Sequence, residues 1–175
     1  LCHSSFGSSD APSARKMQLA WVAMARSAGR VAFDAVTTSL DAMQAEVVGV
    51  SMAVAAGVAC YVPIAHGKIG ADLFGESAQL PGQIPLRDAL ERLKPLLNDP
   101  FTLKIGHDLK FDALVMAQHG ITIAPFDDTM LMSYALDAGR GGHGLSELAE
   151  RHLGHLCLSM DDVLAHSAGA KKSAK

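Results

Sequence analysis

The sequence predicts an α/β fold: a mixed sheet of three antiparallel strands plus a parallel one, flanked by helices. Three observations predict it. Two β-branched runs, Val47–Val54 and Val58–Ile64, are separated by Ala55-Ala56-Gly57, a hairpin signal. A third apolar run, Val31–Ala35, precedes them behind Gly29. A fourth short strand, Leu103–Gly106, comes only after a helical pattern, and helical patterns follow it, which describes a mixed sheet with helical cover.

The elements are justified in chain order. Met17–Ala28 reads as a helix with Trp21 and Met24 on one side. After the three strands, 65–83 is rich in Gly and polar residues and reads as a surface loop. Pro85 opens a helix whose Leu86, Leu90, Leu93 and Leu97 recur at helical spacing. Leu109–His119 is a helix stopped by Gly120, with Asp108 placed to cap it. Asp127 or Asp128 caps the next helix, which runs through Asp137, and Leu145–Leu153 forms another closed by Gly154.

Composition sets the outer limits. The 175 residues suffice for one core, and 49% hydrophobic against 19% charged residues is an ordinary globular balance. The net charge of −3 means that nucleic acid would be bound at a local site and not by a broadly basic surface. Cys2, Cys60 and Cys157 are scattered and odd in number, which disfavours a disulfide scaffold. The longest apolar stretch, 47–64, is broken by Gly49, Gly57 and Pro63, so no membrane span is expected. No signal peptide is apparent, and a cytoplasmic location fits best. The expected organisation is a linker-like tail over 1–14, a domain over 15–165 and a loop-like end over 166–175, read as a fragment of a longer chain.

The candidate chemistry lies in two places. Asp34 stands at the end of the apolar strand VAFD, where a sheet can hold a metal-ligating carboxylate rigidly; its ordinary reading is a turn cap into Thr37-Thr38-Ser39. Asp108 and Asp112 are four apart at a helix N-terminus, a position that favours carboxylates. The dipole explains Asp108, whereas Asp112 sits among Phe111, Leu114 and Val115. Carboxylates aimed at one point from a strand and a helix suit two divalent cations acting on a phosphodiester.

The run Phe33-Asp34-Ala-Val-Thr-Thr-Ser-Leu40-Asp41 resembles the first exonuclease motif of family A bacterial DNA polymerases, F/V-D-T-E-T-x-S-L-D. Lys104-Ile-Gly-His-Asp108-Leu-Lys-Phe-Asp112 resembles their second, K-x-G-Q-N-L-K-Y-D. The likeness continues through Val58–His66, Leu90–Asp99, Asp128–Tyr134 and Leu148–His155, covering Met17 to Val163 in order. It implies a ribonuclease H-like fold of the DEDD superfamily and a 3′–5′ proofreading exonuclease domain using two Mg²⁺ (or Mn²⁺) ions. Its partners would be a single-stranded DNA 3′ end and the polymerase domain of the same full-length chain. The resemblance implies that Asp34 bridges both metals, that Asp112 holds the second, and that Leu40 wedges against the terminal bases. The plainer reading of Leu40 is packing over the strand end. His107 and Asp108 stand where the family has a substrate-side Gln and Asn.

Two departures cut against activity. The family's glutamate is Val36 here, on the same sheet face as Asp34 by period-two spacing, and valine neither ligates a metal nor orients water. Glu46, the nearest substitute, starts the next strand and is not expected to reach. The third motif, Tyr-x-x-x-Asp, would fall beyond Lys175. The expectation is a weak or inactive exonuclease, with two alternatives: a degenerate primer-docking domain beside a polymerase, or a stand-alone DEDD ribonuclease.

Other signals read as structure. Gly139-Arg-Gly141-Gly-His-Gly144 fits G-x-G-x-x-G but follows a helix, not a strand. His152, His155 and Cys157 have metal-like spacing without a closed ligand set. Met116, Met130 and Met132 read as core filling, and Lys171-Lys172 as solvated loop.

Overall fold

A computed structural model describes residues 14–66, 83–139 and 141–158, with backbone alone for 14–19. Most of the expected loop 65–83, nearly all of the tail 1–14 and all of 166–175 lie outside the described residues. These divide into two compact units between Leu131 and Met132, each treated by itself.

The first unit is built on a sheet in the order β3-β2-β1-β4-β5. Its strands are β1 (Arg30–Thr37), β2 (Val47–Ala55), β3 (Val58–Pro63), β4 (Leu103–Gly106) and β5 (Phe126–Asp128). β1–β2 and β2–β3 are antiparallel, while β1–β4 and β4–β5 are parallel. The sequence reading had one parallel strand; β5 is the second. Three residues are too few to show a period, and Asp127-Asp128 reads equally well as a cap.

Alternation in β1 is clean. Val31, Phe33 and Ala35 are buried, while Arg30, Ala32 and Asp34 project from the opposite face. The core side continues across β2, where Phe33 faces Met52 and Ala35 faces Val50. The β2–β3 hairpin closes through Gly57, whose φ of +74° is open to glycine at little cost. Pairing of β1 with β4 covers only Arg30 to Ala32, so the rest of that β1 edge lies beyond the ladder.

Helices α1 (Ala14–Ala28), α2 (Leu86–Leu97) and α3 (Leu109–Gln118) cover the sheet. Among the described side chains of α1, Val22 and Ala25 are buried, Trp21 packs on the core at its margin and Met24, expected on the Trp21 side, is exposed. α2 buries Ala89, Leu90, Leu93, Leu96 and Leu97, a stripe at helical spacing. Each such leucine contributes about 2 kcal/mol of transfer free energy. Pro85 sits just outside this helix as its N-cap residue. Arg26 ties α1 to the end of α2 through the Asp99 carboxylate at 3.2 Å and the Pro95 carbonyl at 2.9 Å. Lys104 is wholly buried in β4, its ammonium donating to the carbonyls of Asp99 and Ala124. Burial pulls its pKa down.

The boundary between units falls within α4 (Thr129–Asp137). In the second unit, Ser133 Oγ lies 2.8 Å from His143 Nδ1, and the Tyr134 and His143 rings are 4.3 Å apart. α5 (Leu145–Leu153) ends at Gly154 as expected, in the left-handed conformation. Met116 is buried, but Met132 is exposed and so is not core filling.

Candidate active site

The site grows from the polar face of β1. Asp34 lies inside the strand, not at its end, because β1 runs on to Thr37. It therefore caps no turn: Thr37 Oγ1 donates to the Ser39 carbonyl, and Ser39 Oγ accepts from the Asp41 amide. The register lines Asp34 up with Ser51 of β2 and Tyr61 of β3 on one face. The next row on that face is Val36, Gly49 and Pro63.

α3 brings the second carboxylate. Asp112 is 4% exposed in its first turn and accepts a hydrogen bond from the Ala35 amide, on the part of β1 that β4 no longer covers. This is the reason a charged side chain sits among Phe111, Leu114 and Val115: it satisfies a strand amide that would otherwise be orphaned. Lost hydration, and next the charge of Asp34, push the Asp112 carboxyl up to about 7; the Ala35 amide opposes this, and Asp108 and Asp128 add to it. Asp34 is itself raised by lost hydration, although its side of the sheet is open to solvent. The charge of Asp34 on the sheet thus acts on Asp112 at the start of α3.

Asp108 does not play the capping part expected of it. It is the N-cap residue of α3 but has φ +61°, and its side chain makes no cap bond. Asp128 takes over, accepting from the Asp108 amide at 3.2 Å and the Leu109 amide at 2.8 Å. The same carboxylate accepts from Met130 and Leu131 at the start of α4. Only the α4 half of that role is visible in local sequence, because the α3 half spans two parallel strands. His107 is fixed by Thr129, whose hydroxyl lies 3.0 Å from Nδ1 and donates to the Gly106 carbonyl.

Leu40 is 97% exposed on the β1–β2 connection, which overturns the reading that it packs over the strand end. The connection is braced: Asp41 accepts from the Met43 amide and the Gln44 side chain, and Gln118 of α3 donates to the Ala42 carbonyl. Glu46 pairs its backbone with Thr38, past the end of β1.

Sequence reasoning missed Tyr61. It stands in the Asp34 row, and its phenol is raised first by lost hydration and then by the Asp34 charge. The register was the only signal that could have found it, and a hairpin fixes register once its turn is known.

Asp34 and Asp112 carry like charge and both are raised by lost hydration, a combination that a bound divalent cation would relieve. The donor set stops there: among the described residues, no group of three or more His, Cys, Asp or Glu side chains could hold a metal ion. Asp34 and Asp112 would be the residues to hold a cation here, and Val36, the next residue on the Asp34 face, adds no donor.

The five-stranded mixed sheet, two antiparallel and two parallel pairings with flanking helices, has the ribonuclease H-like architecture. The family model described as 3′–5′ exonuclease matches residues 13–172, and the chain belongs to this exonuclease domain family of family A DNA polymerases. It is 49% identical over 152 residues to DNA polymerase I of Rhizobium leguminosarum, covering 82% of this chain and 15% of that one. It is 41% identical over 152 residues to DNA polymerase I of Pseudomonas aeruginosa, covering 85% and 16%. The chain thus spans about a sixth of the length of these relatives. Among solved structures, Brucella melitensis NrnC with bound Mg²⁺ matches with a TM-score of 0.56 and 25% identity, over 76% of this chain and 57% of that one.

Proposed function

We propose that this chain is the proofreading exonuclease domain of a DNA polymerase I-type protein, receiving the 3′ end of a single DNA strand from a polymerase domain of the same full-length chain in the cytoplasm. The observation that supports it most is that the charge of Asp34 on the sheet acts on Asp112 of α3, the two positions that match the family's motif carboxylates.

The ions expected in this family, Mg²⁺ or Mn²⁺, activate water and offset charge on the leaving oxygen when bound. Asp34 and Asp112 would hold them. Leu40, projecting fully from a braced loop, would wedge against the terminal base. His107, fixed by Thr129, and Asp108, exposed at the α3 start, would face the substrate. Val36 supplies neither a ligand nor an acceptor for the attacking water, so hydrolysis by this chain is slow.

Two measurements test the reading. A 5′-labelled single-stranded oligonucleotide should bind through its 3′ end, and in Mn²⁺ should shorten slowly or not at all, with any shortening lost in Asp34→Ala. Failure to bind 3′-ended DNA overturns the assignment; rapid digestion with Val36 in place overturns the impairment.

A further inference from the structure

Tyr61 is held in position from three sides. It occupies the Asp34 row through Ser51. Its ring lies over Gly49, where any Cβ would overlap the phenol oxygen, so the side chain leans across the sheet toward the row that contains Val36. Its hydroxyl is 2.6 Å from His66 Nε2, and the two rings are tilted at 59° with centroids 5.6 Å apart. His66 is anchored in turn: its amide donates to Gln83 Oε1 and its carbonyl accepts from Gln83 Nε2, both at 2.7 Å. An ordinary surface tyrosine has no such scaffold.

The chemistry beside it needs a donor. Asp34 presents a carboxyl group on this face, and a phosphodiester brought beside it is itself an anion that accepts and does not donate. Tyr61 is 38% exposed, so its hydroxyl remains reachable while the ring is fixed. With the proton of His66 on Nε2, the imidazole donates to the phenol oxygen, and the phenol proton is free to point at a ligand. A donor whose position is set before the ligand arrives loses little entropy on binding.

We propose that Tyr61 binds the 3′-terminal nucleotide by donating its phenol proton to a phosphodiester oxygen beside Asp34, with His66 as the positioning residue that aims it. This rests on the exonuclease reading above and adds a substrate contact outside the two motifs that define it.

The test uses the whole chain and a fluorescein-labelled single-stranded oligothymidylate with a free 3′ hydroxyl, in EDTA, read by fluorescence anisotropy. Tyr61→Phe keeps the ring over Gly49 and removes only the hydroxyl; it should weaken binding about tenfold, the worth of one hydrogen bond. His66→Ala should weaken it to a similar degree. The double variant should be no weaker than either single one, because both remove the same contact. His66→Gln, whose amide can donate to the phenol oxygen, should recover most of the affinity. Circular dichroism melts on every variant identify any that fail to fold, and Tyr61→Phe then decides alone. If the unaltered chain binds and Tyr61→Phe binds equally well, or if the two losses simply add, the proposal is wrong while the exonuclease reading stands. If the unaltered chain binds no 3′-ended strand, both fall together.

Discussion

Asp128 accepts a 2.8 Å hydrogen bond from the amide of Leu109, nineteen residues earlier in the chain, while also accepting from Met130 at 2.9 Å. One carboxylate thereby closes the N-termini of α3 and α4. It also fixes where α3 begins, and with it the height at which Asp112 meets the β1 edge. The end of β5 is what makes this possible, since Gly106 and Asp128 are register partners in adjacent parallel strands.

Asp128→Ala should therefore cost more than one ordinary cap. A single N-cap is worth about 1 kcal/mol, and this side chain serves two helix starts while 4% exposed. The expected loss is about 2–4 kcal/mol in urea unfolding, with Asp128→Asn recovering part of it. A loss within about 0.5 kcal/mol, the scale of an ordinary surface change, would refute the shared-cap role.

The Asp112 carboxyl gives the molecule a pH dependence of known sign. Its pKa is raised to about 7 in the folded chain, above its value in an unfolded one. Below both values the group is protonated in each state and contributes nothing. As pH rises through the window up to about 7, the unfolded chain releases this proton first, so stability falls, and the full penalty is present above that window. In metal-free buffer, Asp112→Asn should thus stabilise the chain at pH 8 by on the order of 2–4 kcal/mol and leave it almost unchanged at pH 4. Urea unfolding at the two pH values checks both the size and the sign. Equal effects at both would mean that lost hydration and the Asp34 charge do not govern this carboxyl.

Much of this architecture was legible in the chain itself, for identifiable reasons. Leu103–Gly106 and Leu145–Leu153 were bounded correctly because glycine and a short apolar run mark their ends. Asp34 and Asp112 could be paired only through the motifs, since nothing in local spacing brings β1 to α3. What stayed hidden was long-range: the register that sets Tyr61 in the Asp34 row, the α3 half of the cap supplied by Asp128, and the amide of Ala35 that accounts for a buried Asp112. Asp34 was read as a strand end because the apolar alternation stops there, yet pairing with β2 carries the strand on to Thr37.

Leu40 separates packing from function with unusual clarity. A side chain 97% exposed contributes almost nothing to the core, so Leu40→Ala should shift unfolding by less than about 0.5 kcal/mol. Loss of a base-stacking surface should nevertheless weaken single-strand binding, by roughly 1 kcal/mol or about fivefold. Anisotropy and urea unfolding on the same preparation check the two halves. A destabilised variant would return Leu40 to a packing role, and an unchanged affinity would remove it from the substrate path.

Val36→Glu is the most demanding test of the site. Position 36 shares the exposed sheet face with Asp34, two residues along the strand, and its β2 partner Gly49 presents no side chain of its own. A glutamate there would add a third carboxylate to Asp34 and Asp112, completing the kind of cluster that the described residues lack. It would meet the Tyr61 ring, which already lies over Gly49, so the carboxylate has to turn toward Asp34, the direction a metal requires. Mn²⁺ titration by calorimetry should show affinity rising at least about tenfold over the unaltered chain, as one added ligand implies. Without metal the same change should lower stability, because a third carboxylate joins two whose pKa values are already raised. Tighter Mn²⁺ binding together with lower metal-free stability would identify Val36 as the residue that keeps the site open. If Mn²⁺ affinity is unchanged, the two aspartates do not form a metal site that position 36 can complete.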